Sequence, residues 1–214
     1  MVILDVAIVN VALPSMRQEL HFSTTGLQWV VNAYTLAFAG FLLLGGRTAD
    51  LFGRRRMFLV GLGVFTAASM VCGLAPNAAS LIGARAVQGM GAAILSPVTL
   101  TIVTMTFVEP RERSRALGVW SAALASGGAV GVLLGGILTD LFSWRWIFLV
   151  NIPVGIAGIV IGRMVLRESR ADLRSTSLDV AGALSITAAL SALVFGIVET
   201  TTHGLSLIHI SEPT

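Results

Sequence analysis

GGRTADLFGRRRMFLV (45–60) returns ninety residues later as GGILTDLFSWRWIFLV (135–150), without a gap and with nine identities in sixteen. Each copy closes one apolar run and opens the next. Working outward from the pair, apolar runs place helices at about 1–16, 27–45, 57–75, 79–107, 116–141, 146–166 and 179–199. A span needs roughly 20 apolar residues, and most of these runs supply them. Both copies therefore join the second helix to the third within a unit of three. The loops between runs sort by charge. Those at 46–56, 108–115 and 163–178 hold Arg47, Arg54, Arg55, Arg56, Arg111, Arg113, Arg115, Arg163, Arg167, Arg170 and Arg174, whereas the alternate loops hold Arg17 and Arg145 alone. Basic loops stay on the cytoplasmic side. The first copy is thus expected inside and the second outside, with the N-terminus in the cytoplasm of a cell membrane, most simply a bacterial one. Two similar three-helix units of opposite orientation form an inverted repeat, a transporter's architecture.

Composition agrees with a lipid surrounding. Hydrophobic residues make up 55% of the 214 and charged residues 12%, where a soluble domain carries about 25% charged. The fold class expected is an all-α polytopic membrane protein. Net charge is +3, but no basic face is interleaved with aromatics, so nucleic acid is excluded as a partner. Cys72 is the single cysteine and lies in an apolar run, which leaves no disulfide framework or metal site. No nucleophile–base constellation or phosphate loop appears, so an enzyme finds no support.

Several stretches carry a family resemblance. GRTADLFGRRR (46–56) resembles the G-x-x-x-D-x-x-G-R-[KR]-[KR] loop of the major facilitator superfamily, between its second and third helices. RAVQGMGAA, from Arg85, is similar to that family's R-x-x-Q-G motif in helix four. Gly118, Gly127, Gly131, Gly135 and Gly136 fit the helix-five pattern of its exporters. LDVAIVNVALP (4–14) and WRWIFLVNIPVG (144–155) look like the drug:proton antiporter branch with fourteen helices, of EmrB/QacA type. The resemblance covers residues 1 to about 204. It implies a six-helix N-terminal half (3+3 inverted repeat, 1–166), a cytoplasmic linker (167–178) and one further helix (179–204). It also implies a gating role for the 46–56 loop through Gly46, Asp50, Gly53, Arg54 and Arg55. Asp50 is expected near a helix N-terminus, where the dipole favours a carboxylate, and Arg56 is expected to be plain surface charge. In helix five, Gly127, Gly131 and Gly135 put small residues on one face, which allows close packing or a hinge. Where the family pattern carries Gly-Pro, this chain has Gly131-Val132, so the helix is expected to be straighter.

Two charges inside apolar runs are the sharpest candidates. Counted back from Pro14, Asp5 lies about 13 Å below the outer end of helix one, a depth at which an ionisable residue is costly and usually functional. Arg85 lies about 9 Å from the outer end of helix four, with Gln88, Gly89 and Ala92 on its face. Snorkelling to the interface is the bland alternative for Arg85, and a silent pairing with Arg85 is the bland alternative for Asp5. The preferred reading is that Asp5 takes the proton and Arg85, always charged, tunes it. Asn10, Gln28, Trp29, Asn32, Tyr34 and Gln88 are candidates for lining a substrate cavity, with an interface position equally open for Trp29.

The implied activity is proton-driven efflux of amphipathic or cationic compounds, with no cofactor beyond the proton motive force. Its partners are the lipid bilayer, protons, substrate and the C-terminal half of the same transporter, and no periplasmic adaptor can be named. A metabolite carrier or a non-transporting sensor of the same fold stands as the alternative. The short linker followed by the uncharged run 180–198 fits the fourteen-helix branch. Both ends depart from this pattern. The first run has only 13 residues before Pro14, as if a helix had lost its first turns. LSLIHISEPT (205–214) changes character abruptly and can be written in codons as the end of a transposase-based sequencing adapter, so that stretch is expected not to be native.

Overall fold

Side-chain caps mark where two of the long helices begin. Ser23 accepts a hydrogen bond from Gly26 N (3.0 Å) and Asn77 from Ser80 N (2.9 Å), satisfying backbone donors that a first turn leaves orphaned. The computed structural model describes residues 1–168 and isolated positions between 182 and 196. Among them the helices are α1 (Val2–Glu19), α2 (Thr24–Phe52), α3 (Arg54–Gly73), α4 (Ala78–Thr106), α5 (Pro110–Leu141), α6 (Trp146–Leu149) and α7 (Asn151–Val165). Val150 between the last two keeps helical dihedrals (φ −60°, ψ −25°), so α6 and α7 run as one span. Counting that pair once, five helices among the described residues are long and apolar enough to cross a membrane. The expected linker from residue 169, the seventh helix and the 205–214 tail lie outside the described residues.

Three expected boundaries are corrected. The α2 helix starts at Thr24 rather than 27, because the Ser23 cap recruits the preceding turn. The first helix, expected to end near residue 16, continues to Glu19. The segment 46–56 is not a loop: α2 runs through Phe52, α3 begins at Arg54, and only Gly53 intervenes. Gly53 has φ +102°, a conformation that other residues reach only with strain. One glycine there makes the whole turn.

The α1 helix packs on α5, α2 on α4, and α3 on both α4 and α7. The inverted repeat is visible atom by atom. A Cβ on Gly45 would sit 2.5 Å from Ala93 O of α4, and one on its repeat mate Gly135 3.1 Å from Ile8 O of α1. Each glycine thus permits the same close approach of two backbones. Arg55 donates to Arg163 O at the end of α7 (2.8 Å), and Arg145 donates to Gly73 O at the end of α3 (3.4 Å). The two donors are ninety residues apart and so are the two acceptors, in opposite order. Each unit therefore caps the other's last helix. The core between the units holds Ile8, Val9, Ala12 and Met16 of α1 against Leu81 of α4 and Trp144, Ile147 and Phe148.

Candidate functional site

Asp5 stands one turn into α1 and is fully buried, as are Arg85 and Gln88 on α4 and Asn151 at the start of α7. Arg85 Nη1 donates to Asp5 Oδ2 at 2.6 Å. Gln88 Nε2 and Asn151 Nδ2 both donate to Asp5 Oδ1, at 2.8 and 3.2 Å. Gln88 also donates to Ser69 Oγ at 2.8 Å and accepts from Arg85 at 2.7 Å. Cys72 Sγ lies 3.7 Å from Gln88 Oε1, so this thiol closes the network. Arg85 Nε donates to Val30 O at 3.1 Å, which ties the cluster to α2. Its guanidinium carbon lies 4.2 Å from the Tyr34 ring centroid and 5.8 Å from that of Phe148. A desolvated cation is favoured within about 6 Å of such ring faces. Snorkelling is ruled out, because the Arg85 side chain runs inward to a partner rather than outward to water.

The positions follow from helical spacing. Arg85, Gln88, Gly89 and Ala92 recur at three and four residues, so all share the buried face of α4. A Cβ on Gly89 would collide with the Tyr34 carbonyl, so this glycine lets α2 come close enough for Tyr34 to cover Arg85. Removing one partner of a buried ion pair leaves an uncompensated charge, and the cluster answers this by giving each charge several partners.

Beside the cluster lies a cavity of about 760 Å³. Its lining is mostly apolar, including Val6, Phe38, Phe58, Leu62 and Trp120, with hydroxyls from Thr35, Ser96 and Thr99. Of the six expected cavity residues Tyr34 alone lines it. Asn10 is exposed and folds its amide back to Val6 O (2.9 Å). Gln28 is exposed, and Trp29 and Asn32 are half-buried on faces of α2 well away from Tyr34. At 100° per residue, positions 28, 29 and 32 fall at least about 120° from 34. Gln88 belongs to the buried cluster instead. The Tyr34 hydroxyl is enclosed without a hydrogen-bond partner among the described residues, an arrangement that costs about 1–3 kcal/mol.

The helix-five glycines divide. Gly131 and Gly135 are buried against Leu4, Ala7 and Ile8 of α1, and Gly127 is in ordinary contact with Leu4. A Cβ on Gly118 or Gly136 would meet nothing within 4 Å among the described residues. Gly118 is nine residues from Gly127, half a turn round the helix, and Gly136 is about 100° off the packed stripe.

At the end of the bundle formed by the first repeat copy, Arg54 Nη2 donates to Asp50 Oδ1 at 3.3 Å. Asp50 stands in the last turn of α2, four residues before α3 begins, and pairs with Arg54, the first residue of α3. Gly46 contacts Pro97 of α4 at ordinary distance. Arg56 is largely exposed, 3.8 Å from Glu168. At the opposite end, Glu19 accepts from Arg145 Nη2 (2.7 Å) and from Trp144 Nε1 (2.6 Å). The Arg145 hydrogen bond holds the Glu19 carboxyl below its ordinary value, with burial opposing and the Trp144 bond and the Arg145 charge assisting. Asn151, Ser69 and this Glu19 latch were not anticipated. Asn151 had a signal, a lone amide opening the apolar run after residue 150. Ser69 and Glu19 had none.

A sequence profile described as Major Facilitator Superfamily matches residues 1–198. The chain is 47% identical to the cephamycin export protein CmcT of Amycolatopsis lactamdurans, over 100% of this chain and 44% of that protein. It is 46% identical to the puromycin resistance protein pur8 of Streptomyces alboniger, over 93% of this chain and 39% of that one. Identity to the multidrug resistance protein Stp of Mycobacterium tuberculosis (strain CDC 1551 / Oshkosh) is 42%, over 93% and 37%. The chain thus spans less than half the length of these curated relatives. Its fold is that of a crystallised peptide transporter (POT, E310Q mutant, in complex with sulfate), with a TM-score of 0.72 at 16% identity over 99% of this chain and 44% of that one. Matched by the profile over nearly its whole length, this multi-pass membrane chain belongs to the major facilitator superfamily.

Proposed function

We propose that the chain is part of a proton-coupled drug antiporter of the fourteen-helix branch, in a bacterial cell membrane with its N-terminus in the cytoplasm. The observation that carries the reading is Asp5, wholly enclosed against Arg85 beside an apolar cavity. A carboxylate so placed is usually functional. Protonation at Oδ2 neutralises it and weakens its hold on Arg85, and deprotonation restores the pair. One proton gained on one side of the membrane and lost on the other returns Asp5 to its starting state. That cycle can drive substrate the opposite way by alternating access. The apolar lining with scattered hydroxyls suits amphipathic molecules, and the export and resistance names of the relatives support a drug cargo. Asp50, Arg54 and Gly53 serve in this scheme as the contact that favours one access state.

The test is ethidium efflux in inverted membrane vesicles carrying the whole transporter, with and without an imposed pH gradient. Asp5→Asn keeps the side-chain shape and an acceptor oxygen but cannot exchange a proton. Its efflux is expected to lose all response to the gradient while ethidium binding persists. An unchanged gradient response would remove Asp5 from the mechanism.

A further inference from the structure

Both repeat copies carry an aspartate at the same place, and this half of the molecule answers only one of them. Asp50 and Asp140 are ninety residues apart and stand in the last turns of α2 and α5, at opposite ends of the bundle. Asp50 pairs with Arg54, four residues on. The residue four after Asp140 is Trp144, which is buried and gives its Nε1 to Glu19. Arg145, the next in line, is spent on Glu19 and on the carbonyls of Gly73 and Ala75. Asp140 is exposed and has no ion pair among the described residues. A carboxylate at the C-terminal end of a helix is disfavoured by that helix's dipole, so Asp140 needs a cation from elsewhere. Beside it, Thr139 Oγ1 is buried and without a hydrogen-bond partner among the described residues.

Leu133, Ile137 and Asp140 recur at four and three residues, so they share one face of α5, and all three are exposed. That face lies opposite Gly131 and Gly135, the glycines packed on α1. Lipid tails would cover the two apolar side chains but leave the charge unanswered. The second half of the transporter can do both, and this chain spans less than half the length of its curated relatives. We infer that Asp140 is the outer counterpart of Asp50, closing that end of the transporter by pairing with a cationic side chain of the second half. The inference rests on the reading of Asp50 as an access-state contact. An inverted repeat places the mate of an inner contact at the outer end. The pair at Asp140 forms when the outer side shuts and breaks when it opens.

The reporter is Asn10, exposed on α1 one turn beyond Val6 of the cavity. Asn10→Cys is placed in the whole transporter, and its reaction rate with a membrane-impermeant methanethiosulfonate is followed in intact cells, with the protein lacking that cysteine as background. Asp140→Asn and Asp140→Ala are each expected to raise the rate at least threefold, because the outer side is held shut less firmly. Asp140→Glu keeps the charge and is expected to stay within about twofold of the parent. Asp50→Asn is expected to lower the rate, since it frees the inner side instead. An unchanged or lowered rate in both neutral Asp140 variants, with Asp50→Asn lowering it, would overturn the role of Asp140 alone. A rise in Asp140→Glu as large as in Asp140→Asn would also overturn it, because packing rather than charge would then be at work. An unchanged rate in Asp50→Asn would instead overturn the access-state reading beneath it.

Discussion

Every partner that the described residues offer Asp5 is a donor: Arg85 to one oxygen, Gln88 and Asn151 to the other. Such a shell fits an ionised carboxylate, because a protonated one would turn a donor toward donors. Breaking a buried ion pair by removing one partner costs about 3–5 kcal/mol, and removing both costs far less. Arg85→Met is accordingly expected to lower the unfolding midpoint in detergent sharply, Asp5→Asn less so, and the double variant to recover much of the loss. Thermal melts of the four proteins check it. Strict additivity would mean that the two residues do not act as a pair. Asp5 and Arg85 were legible in the sequence because a charge in an apolar run has to be explained. Their partners were not, since Asn151 and Ser69 are small neutral groups that an apolar helix tolerates singly.

Helix existence follows from apolar runs long enough to span lipid, and all six expected runs within 1–166 contain helices. The ends resisted, because they depend on single local choices: the Ser23 cap and the positive φ of Gly53. Faces were readable only where spacing was strict. The four-residue rhythm of Gly127, Gly131 and Gly135 predicts one packed stripe, and Gly118 and Gly136 fall off it. A Cβ at Gly131 would lie 2.8 Å from Leu4 O and 2.9 Å from Ala7 Cβ. Gly131→Val is thus expected to force α5 away from α1 and cost about 1–3 kcal/mol. Gly118→Ala and Gly136→Ala should stabilise their helix by about 0.5–1 kcal/mol, the ordinary gain of replacing a helical glycine. Unfolding midpoints of the three variants decide the matter. A harmless Gly131→Val would contradict the close α1–α5 contact.

At the scale of the molecule, the repeat was legible because its junctions keep both glycines and one arginine at an offset of ninety. The sequence could not say what that arginine does. Arg55 caps the end of α7 and Arg145 the end of α3, so the two units grip each other at opposite ends of the bundle. The end bearing Arg55 also gathers Arg47, Arg54, Arg56, Arg111, Arg113, Arg115 and Arg163, while the other keeps Arg17 and Arg145. By the positive-inside rule, the proposed orientation puts the basic end in the cytoplasm. Single cysteines at Gln18 and Arg56, both exposed and at opposite ends, report on it, since native Cys72 is fully buried and stays silent. In intact cells a membrane-impermeant maleimide is expected to label Gln18→Cys and to leave Arg56→Cys unmodified until the membrane is permeabilised. The reverse pattern would contradict the proposed orientation with the N-terminus in the cytoplasm. Labelling of both sites in intact cells would place the two repeat junctions on one side and end the inverted-repeat reading.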